Sequence, residues 1–447
     1  MTPAPPGETV ACIHYQVAQA TSTQNVELIA GPGQMGMFAE NGSGGQISDM
    51  TFTGGDFGIY GGSQQFTAQR LTFNGCGVGV RTIWDWGWVW KSVTMSGVGV
   101  GFKLVPEGTT GNVGSAALLD SSFTDVDTVV LITPPTSVPA SGTTGLVLER
   151  VTLSSVGAAV ADTAETVLLA GTDGVVDHWV LGPVYSGSAS SRTFSSGGRV
   201  GSYRRDPSLL DTSGAYFERP KPQYEDYPVS GFLHARDFGA TGDGSTDDTV
   251  ALQSAIYASQ GQGKILFIDA GSYILTSTVT IPSGSKIVGE TWSQLVASGP
   301  SFSNANSPRA LIRVGEPGEV GSVELQDLMF TTRGPTAGAV LVEWNIKADR
   351  PGSAALWDCH VRIGGAEGTF LTPSECPPVT SGVVPCNAAS LMMHVTPSAS
   401  GYFENMWLWV ADHMIDDPDL VDANNTMVQT SIYVARGLLV ESTEASW

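Results

Sequence analysis

Five short segments of this chain share one pattern, and their spacing limits the fold more than any other feature. Met50-Thr-Phe52, Leu71-Thr-Phe73, Val93-Thr-Met95, Ser121-Ser-Phe123 and Val151-Thr-Leu153 each hold a small polar residue between two flanking positions that are mostly apolar. Their starts lie 21, 22, 28 and 30 residues apart. A Gly- or Asn-rich turn and a second short apolar strand follow each one. Units of this length cannot bury a core alone, and no helical period appears between them. They read as rungs of a β solenoid, in which each coil hides its inner face by stacking on the next. The unequal spacing fits loops of different length bulging from one side.

A different stretch, LHARDFGATGDGSTDDTVALQSAIYA from Leu233 to Ala258, reads as the start of a second module in mid-chain. A short strand leads into a polar turn with Gly239, Gly242 and Gly244. A helix is expected over Thr246–Ser259, with Thr246 as N-cap and Asp247 and Asp248 in its first turn, where acids suit the dipole. Val250, Ala251, Ala255 and Ile256 are expected on its inner face, with Leu252 beside them. Such a helix covers the open edge of a first rung. The GDGSTDD turn lacks the alternating oxygen ligands and distal Glu of an EF-hand, so a turn with a helix cap is expected and no metal site. Short β runs resume after it, with later rungs at Val323–Phe330, Ala354–Ile363, Met392–Val395, Tyr402–Val410 and Ser431–Glu441. Between the two modules, Ser/Gly clusters and the Pro-rich ERPKPQYEDYP read as a crossing segment. The expected organisation is a first solenoid over 1–185, a linker over 186–231 and a second solenoid over 232–447.

Charge narrows the partners. Lys+Arg is 21 against Asp+Glu 43, a formal net charge of -22. Nucleic acid and anionic membranes both call for a basic patch, so neither is an expected partner. A neutral polymer such as a polysaccharide fits. No run approaches the roughly 18 apolar residues of a membrane span. Of the five cysteines, Cys376 and Cys386 bracket a Pro-rich loop and are expected to form a disulfide, while Cys12, Cys76 and Cys359 read as buried thiols. No CxxC pair suggests a metal, and no cofactor is expected. Asn41 and Asn424 head glycosylation sequons. The N-terminus lacks a signal-peptide pattern, and the chain reads as cut at both ends.

The run Trp84-Asp-Trp86-Gly-Trp88-Val-Trp90 is the most unusual feature of composition. Strand alternation puts all four indoles on one face. Aromatic faces stack on sugar rings, so Trp84, Trp86 and Trp88 are candidate substrate contacts; a thick core layer is the alternative. Trp407 and Trp409, with Asp412 and His413 just beyond, offer a second aromatic edge. Gln64 and Gln65 precede a strand and Ser92 lies within one. Glu404, Glu441 and Glu444 are acids on or beside late rungs. Glycoside hydrolysis usually needs two carboxyl groups at a set separation, but spacing pairs none of these, and each reads first as a solvated face. His14, His234, His360, His394 and His413 show no mutual spacing and read as structural.

The opening motif of the second module resembles that of the pectate-lyase-like parallel β-helix superfamily. IHYQVAQATSTQNVEL, ENGSGGQISDMTFTGG, GGSQQFTAQRLTFN, WDWGWVWKSVTM, SASGYFENMWLWVADHMID and IYVARGLLVES narrow it, because together they are similar to fungal glycoside hydrolases of family 55. The resemblance spans nearly the whole chain. It implies an all-β fold of two tandem right-handed parallel β-helices side by side, with the active site in a groove between them. It also implies a secreted, monomeric exo-β-1,3-glucanase acting with inversion. In that family a glutamine and a serine hold the attacking water. The matching residues here are Gln64, with Gln65 as the alternative, and Ser92. Neither side chain is a strong base, but both can orient a water. The resemblance places the general acid on a rung downstream of ARGLLVES, past Trp447, and places Glu441 beside the groove as a substrate-binding residue.

Three readings of function follow: a β-1,3-glucan hydrolase; a non-catalytic carbohydrate-binding β-helix; and a pectin-active enzyme of the same superfamily. A net charge of -22 suits the third poorly, since pectin is a polyanion.

Overall fold

The computed structural model describes residues 10–108, 112–135, 144–185, 187, 192–200, 204–379, 386–414, 416 and 428–447. The fold is all-β and its strands pair mainly in parallel, with one α-helix among the described residues. Contacts divide the chain into two units, Met1–Tyr216 and Phe217–Trp447, each with its own apolar cluster.

In the first unit the strands Gly45–Gly54, Phe57–Asn74, Val78–Leu104, Ser122–Ile132 and Gly145–Asp162 stack in parallel, one rung on the next. Their register aligns the third residue of every sequence repeat. Phe52, Phe73, Met95, Phe123 and Leu153 form one inner file, none more than 2 % exposed. The middle residues Thr51, Thr72, Thr94, Ser122 and Thr152 point outward, as period-two alternation requires. Room for the file comes from glycine. A Cβ on Gly36 would lie 2.8 Å from the Phe52 ring, and one on Gly58 2.6 Å from Phe73.

The residue before each repeat turns the chain. Asp49, Arg70, Ser92, Asp120 and Arg150 have φ of 55°, 54°, 53°, 50° and 54°. Left-handed backbone costs a non-glycine residue about 1–2 kcal/mol, so side-chain partners must hold these corners. Arg70 grips Asp49 at two points, Nε to Oδ1 at 2.8 Å and Nη2 to Oδ2 at 2.9 Å. Asp120 accepts from Arg150 at 3.3 Å and from Arg205 at 2.5 Å. A second turn, at Gly54, Gly75, Gly97, Asp125 and Ser155, repeats at the same intervals with φ again positive.

The parallel stack of this unit does not run on unchanged. Gly174–Tyr185 pairs antiparallel with Gly145–Asp162, and Arg192–Gly198 pairs antiparallel with Gly174–Tyr185. The stretch after residue 186 is therefore part sheet, and the residues from 204 to 216 lie over the charged corner through Arg205.

The second unit repeats the plan. One sheet runs through Phe232–His234, Ile265–Phe267, Lys286–Ala297, Val323–Thr332, Ala354–Trp357 and Tyr402–Glu404, with His360–Ile363 and Trp407–Val410 joined to it. Another runs through Val279–Ile281, Arg309–Val314, Ala339–Trp344, Asn387–Val395 and Tyr433–Val440. Its left-handed corners are Asp327, Asp358 and Asn405, at 54°, 51° and 51°. Lys221 Nζ donates to Asp327 at 2.6 Å and to Asp358 at 2.8 Å, and Asn405 donates to Asp358 at 2.6 Å. Burial pulls the Lys221 pKa down, but Asp358 and Asp327 outweigh it and hold the ammonium charged.

The helix spans Thr249–Gly261, three residues later than the sequence suggests, because Asp243–Asp247 forms a strand against Gly271–Leu275. Its N-cap is Asp248, and Asp247 Oδ1 accepts from Thr249 N at 3.1 Å. Asp248 instead ties down the turn, accepting from Thr241 N and Gly242 N at 2.7 and 3.1 Å. The buried face is Leu252, Ala255, Ile256 and Ser259, a clean i, i+3, i+4, i+7 stripe. Val250, expected on that face, is 78 % exposed. Cys376 and Cys386 form the expected disulfide. Cys76 and Cys359 are buried, but Cys12 is exposed, since it lies on the outward side of its strand. Asn41 lies in an exposed turn; Asn424 falls outside the described residues.

Candidate active site

The Gln64 and Trp86 positions face each other across two rungs. Register pairs Ser63 with Asp85 and Gln65 with Gly87, which sets Gln64 opposite Trp86. The Trp86 indole is 64 % exposed, and Gln65 is exposed beside it. Gln65 Nε2 donates to Ser43 Oγ at 3.3 Å. Trp84 is half-buried over Gly62, whose added Cβ would lie 2.5 Å from the indole. The four indoles do not share a face. Trp88 and Trp90 are 5 % and 1 % exposed and stack in the core at 5.1 Å, continuing from Phe66 at 5.0 Å. Alternation breaks at Gly87: Trp86 is exposed and Trp88 is buried, two residues apart in one strand. Trp88 is a core residue and not a sugar contact.

Behind Trp86 lies Asp85, 4 % exposed. Its Oδ1 accepts from Gly114 N at 2.7 Å and Ser115 N at 3.2 Å. Burial raises its pKa to about 6, and the two N–H donors only partly oppose that. Nothing in the sequence pattern marks this residue, which lies hidden between two tryptophans.

Ser92 occupies the left-handed corner in register with Arg70. Its hydroxyl accepts from Lys91 Nζ at 3.1 Å. It therefore belongs to the charged corner with Asp120.

Glu441 follows the last rung of the second unit and pairs with His394 Nε2 at 2.6 Å. His394 sits in register with Glu343 and Arg313, and Arg313 Nε donates to Glu343 at 2.9 Å, so basic and acidic side chains alternate along this ladder. Trp407 and Trp409 lie on the other sheet of that unit. Their rings stack at 5.1 Å and 18°, with His360 edge-on to Trp407 at 6.0 Å and His413 against Trp409 at 5.3 Å. Asp412 Oδ1 holds His413 Nδ1 at 2.6 Å. Burial lowers the pKa of His360, so its imidazole is neutral at pH 7. The same face continues into a cavity of about 290 Å³ whose lining includes Trp292, Gln294, Thr331, Arg333 and Arg362. Spacing could not have found it, because its residues come from separate rungs and loops spread over more than a hundred positions. Among the described residues, no three His, Cys, Asp or Glu side chains are grouped to hold a metal ion.

The chain is thus a mainly parallel all-β stack that presents outward tryptophans and amides. Residues 1–103 and 232–308 match a family described as rhamnogalacturonase A/epimerase, pectate lyase-like. A glucan 1,3-beta-glucosidase of Cochliobolus carbonum is 38 % identical over 438 residues, covering 96 % of this chain and 54 % of that protein. A probable glucan endo-1,3-beta-glucosidase of Arthroderma benhamiae is 34 % identical, covering 98 % of this chain and 60 % of its own length. A non-secreted LysM effector of Penicillium expansum is 38 % identical over all of this chain and 32 % of its own length. The chain spans about half the length of the first of these relatives. It is thus similar, over nearly all its residues, to proteins named as glucan 1,3-beta-glucosidases, and over part of them to a pectate-lyase-like family. No helix among the described residues is long and apolar enough to cross a membrane.

Proposed function

We propose that this chain is the glucan-binding and water-positioning part of a secreted, monomeric exo-β-1,3-glucanase that acts with inversion, built as two tandem right-handed parallel β-helices. The observation that carries the reading is the exposed Trp86 indole directly across the rung from Gln64. An indole offers an apolar platform for a glucosyl ring, and an amide beside it can accept from a water and orient it. Gln64 takes that role, with Gln65 as the alternative. Trp84 and Trp86 are glucan contacts of the first unit, and Trp407 and Trp409 are glucan contacts of the second, each taken by itself. Ser92 is the second group proposed to hold that water, and Glu441 is a proposed glucan contact beside His394. The disulfide supports an oxidising, extracellular setting.

The test is laminarin hydrolysis by the full-length protein, followed by proton NMR. Exo action with inversion gives glucose alone, with the α anomer appearing first. Gln64→Ala lowers kcat by about a hundredfold. Trp86→Ala weakens laminarin affinity by about tenfold while leaving the melting temperature unchanged, since an exposed ring contributes little to folding. Unchanged kcat in the glutamine variant sinks its role, and a β-anomeric first product sinks inversion.

A second reading, glucan binding without turnover, draws on the relative named as a LysM effector. It predicts laminarin retention with no release of reducing sugar.

A further inference from the structure

The turn after the strand Gln34–Glu40 carries Asn41-Gly42-Ser43, an acceptor pattern for N-linked glycosylation. Asn41 is exposed and has φ of 63°. Asparagine adopts this left-handed conformation more readily than most residues, but glycine adopts it at no steric cost. The turn alone therefore does not call for asparagine. Among the described residues the Asn41 side chain makes no hydrogen bond, so its amide is spoken for by nothing in the fold. The rest of the turn is pinned. Ser63 Oγ donates to the Gly42 carbonyl at 3.0 Å, Gly44 N to the Gln65 carbonyl at 3.0 Å, and Ala20 N to the Gly44 carbonyl at 2.9 Å. A Cβ on Gly42 would lie 3.1 Å from the Ala18 carbonyl oxygen and 3.3 Å from the Phe66 ring, so the inner side of the turn is closed.

This turn borders the candidate site. Ser43 Oγ accepts from Gln65 Nε2 at 3.3 Å. Gln64 and Gln65 lie on the next rung and Trp86 on the one after. Neighbouring strands are about 4.8 Å apart, so two rungs separate the turn from Trp86 by about 10 Å. A branched oligosaccharide is longer than that, and it is bulky and solvated.

We propose that Asn41 is N-glycosylated and that its glycan stands at the edge of the Gln64–Trp86 surface, on the side of the earlier rungs. The proposal rests on the secreted reading above and is independent of which glucan is bound. The co-reactant is an oligosaccharide joined to a membrane lipid through diphosphate. Asn41 Nδ2 attacks its anomeric carbon. The new C–N bond forms, the C–O bond to diphosphate breaks, and the amide loses one proton as the lipid diphosphate leaves.

The full-length protein, secreted from a yeast host, tests it. Amidase release of glycans in heavy-oxygen water turns each occupied asparagine into labelled aspartate, and mass spectrometry is expected to find that label at position 41. Hydroxyl-radical footprinting then compares this protein with the same protein trimmed by an endoglycosidase. Trimming raises oxidation of Trp86 by about twofold, because a bulky solvated group no longer covers it. Tyr185, 70 % exposed and several rungs further along the first unit, keeps its rate. Asn41→Asp removes the acceptor amide but keeps a residue that tolerates the left-handed turn, and it gives the trimmed value without trimming. Equal Trp86 oxidation before and after trimming overturns the proposal, and so does an unlabelled Asn41. The host leader sends the chain through the secretory membrane whatever its natural address, so an unlabelled Asn41 leaves the extracellular reading standing. Laminarin hydrolysis by the same samples decides the glucan reading on its own.

Discussion

Asp85 carries a carboxyl group where water barely reaches, and that fixes the sign of one pH effect. Its folded pKa is about 6, above the ordinary 3.8, and burial is the main cause. The folded state therefore holds this proton more tightly than the unfolded chain does. Stability from the group is fully present below about pH 4 and is lost as pH rises through about 6. A shift near two units corresponds to about 3 kcal/mol at most. Asp85→Asn keeps an acceptor oxygen for Gly114 N and Ser115 N but carries no charge. The variant is expected to be more stable than the wild type at pH 7 by about 2 kcal/mol and equal to it near pH 4. Urea melts at the two pH values measure this, and parallel profiles for the two proteins would count against it. The neighbouring indoles show how a residue-scale reading of sequence goes astray. Strict alternation would put Trp84–Trp90 on one face, but its phase reverses at Gly87, so Trp86 meets solvent and Trp88 meets Phe66. Composition announces the indoles; only the local phase of the strand decides which of them a ligand can touch.

At the scale of one rung, the corners carry the strain and ion pairs hold them. Lys221 is 9 % exposed and bridges Asp327 and Asp358, two left-handed residues on successive rungs. Lys221→Met removes the charge and leaves two carboxylates facing one another with little water. The second unit should lose about 3–5 kcal/mol, the usual cost of breaking a buried pair from one side. Lys221→Arg should recover part of it, and a urea midpoint for Lys221→Met equal to that of the wild type would show that the corner does not depend on this bridge. The rungs themselves are legible in sequence because each repeat returns the same residue to the inner file, as Phe52, Phe73 and Phe123 do. The corners are not, since Arg70, Ser92 and Arg150 are residue types that rarely turn left-handed. The same limit applies to the site. Gln64 and Ser92 can each be picked out as polar residues on rungs, but whether they meet depends on register and on six residues of intervening strand. The Thr331–Arg362 cavity escapes sequence reading entirely, because its walls belong to rungs that only stacking makes neighbours.

Across the whole molecule, charge separates the two polymer classes that a pectate-lyase-like architecture could serve. The formal net charge is -22. A polyuronate approaching such a surface meets long-range repulsion, whereas a neutral glucan meets none. Salt tells them apart, because screening lengths fall from about 30 Å at 0.01 M to about 3 Å at 1 M. Contacts made by indoles, amides and hydroxyls act over much shorter distances and are indifferent to that change. Laminarin affinity is therefore expected to vary by less than about twofold across this range. Any affinity for polygalacturonate should be weaker at low salt and should rise with it. The paired guanidiniums Arg333 and Arg362 do not reverse this, since Asp243, Glu367 and Asp416 share their cavity. Affinity electrophoresis in gels of each polymer, run at several salt concentrations, makes the comparison directly. Strong low-salt binding to polygalacturonate that fades as salt is added would mean that a local basic surface governs recognition, and the neutral-glucan assignment would have to be given up.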